Sequence, residues 1–433
     1  MDIFTAGLLI GLLLAILASG FWIGLTLLGV AVIAMQAFTS RPVGDSMVLT
    51  IWGSTSSWTL TALPLFLWMG EILFRSRLTA DLFKGLAPWL HRVPGRLLHT
   101  NVIGCGIFAA VSGSSAATCA TIGKITLPEL KRRGYPDGIS MGSLAGAGTF
   151  GLLIPPSIIM IVYAVATDVS IAKLFVAGVV PGVMLMAIFS LYLAFWAWRH
   201  PGQIPEPAAD EAAMTLGDKL RAMRHLGPVV VLIALVIGSI YSGIATATES
   251  AALGVAGSLA LSAIERSLTW QGFKDGLFAA CRVYCMIGLI LAGAAFLTLA
   301  MGFIGLPREV ASFIGALQLS PVGLLLLLMV FYIVLGCFLD GISMVVLTMA
   351  VLLPTVQAAG IDLIWFGIFV VLVVEMAQIT PPVGFNLFVL QGLTGREVPY
   401  LAKTALPFFG LLVLATALIW AFPQLVLWLP SLM

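Results

Sequence analysis

Four short stretches of this chain have residue types and spacing suited to holding an ion or a small solute. Two are polar interruptions of apolar runs: Ser112-Gly113-Ser114-Ser115-Ala116-Ala117-Thr118 and Asp340-Gly341-Ile342-Ser343. Two carry a Pro-Pro pair: Gly148-Thr149-Phe150-Gly151-Leu152-Leu153-Ile154-Pro155-Pro156-Ser157 and Ala377-Gln378-Ile379-Thr380-Pro381-Pro382-Val383-Gly384-Phe385-Asn386. A proline removes an amide donor and clashes with the carbonyl one turn earlier, so a Pro-Pro pair frees several carbonyls inside a helix. In hydrocarbon each unsatisfied carbonyl costs several kcal/mol, so freed carbonyls must line a cavity, meet polar side chains or bind a cation. The half-helix that starts after such a break presents free amides and the positive end of its dipole, which favours an anion. One break can therefore hold a cation and an anion side by side. Serine and threonine hydroxyls are neutral oxygen ligands that suit Na⁺. A kink packed against neighbouring helices explains any one such break; four at equivalent places point to a site.

Composition places these stretches in a membrane. Only 9% of the 433 residues are charged and 61% are hydrophobic, against about 25% charged in soluble domains, and mean hydropathy is +1.11. A soluble body of this size could not hide that much apolar surface. A net charge of +2 with dispersed Lys and Arg leaves no basic stripe for nucleic acid. The five cysteines (Cys105, Cys119, Cys281, Cys285 and Cys337) all lie in apolar stretches, where packing is expected. Cys281 and Cys285 share a helix face but make a poor metal pair. The apolar runs are continuous, not alternating, so the spans are helices and not barrel strands. No basic residue precedes Arg41, so the first run is read as a span and not as a cleaved signal peptide.

Hydropathy and turn signals predict crossings over 3–18, 20–38, 58–74, 139–167, 171–198, 228–243, 249–264, 276–303, 362–393 and 401–425. The stretches 97–133 and 321–360, each broken near its middle, are read as re-entrant helical hairpins, because each arm is shorter than the ~20 residues a span needs. A shift of 226 residues superimposes Pro128, Pro155, Pro156 and Pro181 on Pro354, Pro381, Pro382 and Pro407. Each half then holds three spans, a hairpin and two spans. Five crossings is an odd number, so the halves have inverted topology, the layout of secondary transporters. Most of the 21 Lys and Arg residues fall on one side, which is then cytoplasmic and leaves the N-terminus periplasmic. Segment 75–96 is read as an amphipathic arm on the inner surface and 304–320 as its outer counterpart.

Lys124, Glu249, Arg282, Asp340 and Glu375 fall in or near spans, where charge is expected to face the bundle interior. His91, His99, His200 and His225 are scattered near the inner edge and read as interface residues. Gly7/Gly11, Gly20/Gly24 and Gly142/Gly146 match a small-residue helix-packing pattern. An intramembrane enzyme would need a nucleophile–base pair or a metal cluster at one depth; no His-Glu-x-x-His motif or clustered Asp pair occurs, so no enzymatic activity is expected.

The sequence resembles the large membrane subunit of tripartite ATP-independent periplasmic (TRAP) transporters. The likeness is carried by Ser112 to Thr118 running on through Pro128-Glu129-Leu130-Lys131-Arg132-Arg133-Gly134-Tyr135, by Gly146 to Ser157, by Phe338-Leu339-Asp340-Gly341 and by Glu375 to Gly384, and it spans nearly the whole chain. The resemblance implies an elevator-type importer of the ion-transporter superfamily, in the bacterial inner membrane. It also implies Na⁺ as the coupling ion, held where each hairpin tip meets its broken span. Two protein partners follow: a periplasmic substrate-binding protein that delivers an organic acid anion, and a small four-helix membrane subunit.

The expected fold is thus an all-α polytopic membrane protein of two inverted repeats. Its scaffold comprises 1–96 and 228–320, its transport domain 97–198 and 321–433, and 199–227 is a cytoplasmic linker. The solute is expected at Ser114, Ser115, Thr118, Thr149, Pro156, Ser343, Thr380, Pro382 and Asn386. Na⁺ is expected at Ser112, Gly113, Gly148, Gly151, Asp340, Gly341, Gln378 and Thr380. The alternative is a single-component Na⁺- or H⁺-coupled anion symporter of the same superfamily.

Overall fold

The computed structural model describes residues 3–76, 85–206, 214–224, 226–305, 309, 320–336, 339–382 and 384–433. Among them the chain is helical throughout, with no strand. The helices are α1 (Ile3–Ala18), α2 (Ile23–Phe38), α3 (Val43–Thr55), α4 (Ala62–Phe74), α5 (His99–Ser112), α6 (Ser115–Arg132), α7 (Asp137–Gly148), α8 (Ile158–Thr167) and α9 (Ile171–Arg199). Then come α10 (Leu216–Met223), α11 (Gly227–Tyr241), α12 (Ala247–Ile264), α13 (Trp270–Ile304), α14 (Pro321–Leu335), α15 (Gly341–Ala358), α16 (Leu363–Gln378), α17 (Phe385–Thr394) and α18 (Val398–Ala421). Part of the expected arm over 75–96, at 77–84, and most of the arm over 304–320 lie outside the described residues, as do His225, Arg308, Cys337, Phe338 and Val383.

Packing sorts the helices into two groups. Helices α1–α4 pack with α11–α13, chiefly α13 on α2 and α12 on α4. Helices α5–α9 pack with α14–α18, chiefly α18 on α7 and α15 on α8. The groups meet where α13 touches α15 and α4 touches α5. Helix α16 is the core of the second group. Its sequence, Leu-Ile-Trp-Phe-Gly-Ile-Phe-Val-Val-Leu-Val-Val before Glu375, is apolar on every face, and it is buried from Trp365 to Gln378. A helix apolar all round has no side to give to water and belongs inside.

The breaks form where the local chemistry demands. Helix α5 ends at Gly113, which takes a left-handed φ of 60°, a conformation glycine adopts without steric cost. Ser114 then caps α6 by accepting the Ala117 amide. The bases of this hairpin come back together: the Leu97 amide donates to the Tyr135 hydroxyl at 3.3 Å. At 14 residues, α5 is about 21 Å long, short of the ~30 Å hydrocarbon core. In the second hairpin the Tyr332 and Thr348 hydroxyls meet at 2.6 Å, which brings α14 and α15 together at residues eight before and eight after Asp340. Helix α15 reaches 18 residues and is long and apolar enough to cross a membrane by itself, longer than the arm the sequence suggests.

The first Pro-Pro segment separates α7 and a turn at Phe150–Leu153 from α8, with a bend of 41°. Ser157 caps α8 and donates back to Leu152 O at 2.5 Å. The second separates α16 from α17. Pro155–Pro156 and Pro381–Pro382 are both cis. The other proline pairs also match in role: Pro128 and Pro354 lie inside α6 and α15, and Pro181 and Pro407 inside α9 and α18.

Several expectations need correction. Helix α3 was not foreseen; it is bent 54° from the segment Trp58–Phe74 and buries none of its residues. Helix α13 starts at Trp270, six residues before the expected span. Part of the linker folds as α10, closed by a reciprocal cap between Thr215 and Asp218. Of the five charges assigned to the interior, Glu375 is fully buried and Asp340 partly. Lys124, Glu249 and Arg282 are exposed: a helix inside an apolar run still has a face that meets no partner. Glu249 instead caps α12 through the Thr246 amide and hydroxyl, each at 2.8 Å. Cys281 and Cys285 are exposed, not packed. Gly142 and Gly146 do pack tightly, on Thr404 and Phe408 of α18, whereas Gly7, Gly11 and Gly20 face open space.

Candidate ion and solute site

The first tip is nested in the first break. The Ile158 amide donates to Gly113 O at 3.3 Å. A Cβ on Gly113 would lie 2.7 Å from Pro156 O, and one on Gly151 would run into the Ser114 carbonyl. Only hydrogen fits at Gly151, because the tip's main chain passes directly over it. Ser112, Ser114 and Thr118 bond within the tip: the Ser112 and Thr118 hydroxyls meet at 2.7 Å, and Thr118 donates to Ser114 O at 2.8 Å.

The second break reaches into the same knot. Ser115 Oγ donates to Asn386 Oδ1 at 2.8 Å, and Asn386 Nδ2 donates to Ala145 O at 3.1 Å. Both side chains are buried. Gly148 leaves room for this contact: a Cβ there would stand 3.0 Å from Asn386 Nδ2 and 2.7 Å from Cys119 Cβ. Thus α6, α7 and α17 are held together by one amide, and Ser115 and Asn386, both expected to contact solute, are each other's partners in this state.

The second tip packs on the first half of the second break. A Cβ on Gly341 would lie 2.7 Å from Val374 Cγ1 and 3.2 Å from Gln378 Nε2. Asp340 caps α15, accepting the Ile342 and Ser343 amides at 3.1 and 3.3 Å and the Ser343 hydroxyl. Its carboxylate therefore sits on a helix N-terminus, the end whose dipole favours negative charge. Thr380 donates to Met376 O at 2.7 Å, and Pro382 is exposed. Gln378 O and Thr380 O converge on Gly384, 2.9 and 3.0 Å from where its Cβ would be.

The two tips are linked through consecutive residues of α8. A Cβ on Gly113 would lie 3.4 Å from Ile158 Cγ1, and one on Gly341 2.8 Å from Ile159 Cδ1. The tips therefore lie on neighbouring residues of one helix. The donors collected here are hydroxyls, carbonyls and one carboxylate. That all-oxygen set fits a hard cation and not a soft metal. No group of three His, Cys, Asp or Glu suited to a metal occurs among the described residues.

Glu375 lies one turn before this break, fully buried. Thr149 is its polar neighbour, but that hydroxyl donates to Gly146 O at 2.8 Å, and neither carboxyl oxygen has a hydrogen-bond partner. Sequence reasoning missed Asn101. Its Nδ2 donates to Ser140 O at 3.0 Å and to Ser143 Oγ at 2.9 Å, tying α5 to α7. An asparagine inside an apolar run was the available signal.

An all-helical bundle with two interrupted helices, each met by a hairpin tip, is a transporter architecture. The solved structure of the Alcanivorax borkumensis YdaH transporter has this fold, with a TM-score of 0.65 at 14% identity over 94% of this chain and 96% of that one. The chain belongs to the tripartite ATP-independent periplasmic transporter family as its DctM component, the family model matching residues 10–425. Two relatives are each named "C4-dicarboxylate TRAP transporter large permease protein DctM". That of Rhodobacter capsulatus is 30% identical over 99% of both chains. That of Pseudomonas aeruginosa is 31% identical over 89% of both. The chain is a multi-pass transporter permease and not an enzyme.

Proposed function

We propose that this chain is the permease of a Na⁺-coupled importer of an organic acid anion, working by an elevator movement of α5–α9 and α14–α18 against the remaining helices. The observation that carries the reading is the meeting of each tip with a broken helix, the first bound into the knot of Ser115, Asn386 and Ala145 O. Na⁺ would supply the positive charge that lets an anion rest at mid-membrane without a buried arginine. It would be held by main-chain and hydroxyl oxygens around Ser112, Gly113, Gly148 and Gly151, and around Asp340, Gly341, Gln378 and Thr380. The solute would lie between the tips, against Ser114, Thr118, Thr149, Pro156, Ser343, Thr380 and Pro382. Release of the Ser115–Asn386 bond would expose both side chains to it.

Family membership supports two partners: a periplasmic binding protein that delivers the anion and a small four-helix membrane subunit. The one-sided distribution of Lys and Arg supports a bacterial inner-membrane location with the N-terminus in the periplasm. Reconstitution of the chain with both partners in proteoliposomes, followed by uptake of labelled C4-dicarboxylates and other organic acids, tests the reading. Uptake that needs an inward Na⁺ gradient and both partners is expected. Uptake indifferent to Na⁺ would contradict the coupling, and uptake by the chain alone would favour a single-component symporter.

A further inference from the structure

A cavity of about 410 Å³ opens between the far end of α6, the start of α7 and the end of α17. Its charges are Lys124, Lys131, Asp137 and Arg396. Lys124 and Lys131 are seven residues apart, two turns along one face of α6. Both are exposed, and among the described residues neither side chain makes an ion pair or a hydrogen bond. Asp137 is already taken, accepting Arg396 Nη2 at 2.9 Å. Three cations thus face one carboxylate. The same cavity is lined by Asp137 and Ser140 from the first turn of α7, whose N-terminus has no side-chain cap. Ser140 and Thr394 hydroxyls complete the polar lining.

The cavity is separate from the site at the tips. Lys124 lies nine residues along α6 from Ser115, about 13 Å. Between them Gly123 is closed in by Leu144 and Leu393, each 2.8 Å from where its Cβ would be. The geometry points to a second anion site, for a small dianion with phosphate or carboxylate oxygens, held by Lys124, Lys131 and Arg396. Such an anion bridges α6 and α7 to α17 and strengthens the tie that the Asp137–Arg396 pair makes across 259 residues of sequence.

The test uses the full chain in detergent, in potassium salts at constant ionic strength, without Na⁺. Inorganic phosphate, succinate and micelles containing phosphatidylglycerol are titrated separately while the thermal unfolding midpoint is followed. A saturable rise is expected in the wild type. The K124Q/K131Q variant is expected to lose it or to need at least tenfold more ligand, and K173Q to keep it. A rise with phosphate or succinate identifies a soluble anion; a rise with phosphatidylglycerol alone identifies a lipid headgroup as the source of the same chemistry. No saturable rise with any probe, or an equal rise in K124Q/K131Q, overturns the proposal. Because no gradient and no Na⁺ are used, failure here is distinguishable from failure of Na⁺-coupled uptake.

Discussion

Ser115 donates its hydroxyl proton to the Asn386 side-chain carbonyl at 2.8 Å, joining a hairpin tip to a broken helix 271 residues later in the chain. The bond is buried, and Asn386 passes it on to Ala145 O. Removing one partner leaves the other unsatisfied in a dry interior, at a cost of about 1–3 kcal/mol. S115A and N386A are each expected to lower the unfolding midpoint in detergent. The double variant is expected to lose less than the sum, because the residues share one interaction. Strict additivity would show that the contact does not couple them.

Gly151 lies beneath the Ser114–Ser115 peptide, with its Cβ position 2.5 Å from the Ser114 carbonyl carbon and 2.8 Å from Ser115 N. The obstacle is backbone, which cannot rotate away. G151A is expected to cost about 1–3 kcal/mol through overpacking and to abolish transport by lifting the tip. G11A, at a position with nothing within 4 Å, is the control and should lose neither stability nor transport. Equal behaviour of the two would contradict the nesting of tip in break.

Asp340 has two separable properties: it accepts amide protons at the start of α15 and it carries charge. D340A removes both and is expected to lose about 0.5–2 kcal/mol of stability. D340N keeps an accepting oxygen and should stay near the wild-type midpoint. If the charge also holds Na⁺, D340N raises the Na⁺ concentration for half-maximal uptake about tenfold, equivalent to ~1.4 kcal/mol. Unchanged Na⁺ dependence in D340N would confine Asp340 to capping.

Glu375 is buried with neither oxygen in a hydrogen bond, and Thr149 is its polar neighbour; a buried carboxylate so sparsely partnered is costly to keep charged. E375Q preserves the shape and is expected to unfold no earlier than the wild type. E375A opens a cavity in the tightly packed α16 and is expected to cost about 2–5 kcal/mol. Destabilisation of E375Q as severe as that of E375A would mean that a partner holds the carboxylate.

The breaks were legible because their causes are local. Pro155-Pro156 and Pro381-Pro382 cannot continue a helix wherever they stand, and Ser112-Gly113-Ser114-Ser115 pairs a left-handed stop with a cap. Helix α3 was not legible: Gly44, Asp45, Ser46, Gly53 and Ser54 dilute its apolar residues until it reads as loop. Which way a charge faces was also hidden. Lys124 and Glu375 both interrupt apolar runs, yet one lines an open cavity and the other is sealed, because that depends on which helix packs alongside. The same limit hid the Ser115–Asn386 bond. Each residue was a candidate by type, but their pairing required α17 to be laid against α6.

The central claim is that both tips, with the breaks they meet, hold Na⁺. Equilibrium binding of ²²Na⁺ to the purified chain tests it most directly, with S112A altering the first tip and T380A the second break. Saturable binding is expected in the wild type, fewer ions bound in each single variant, and none in the double variant. Absence of saturable binding in the wild type, or undiminished binding in the double variant, would contradict the account.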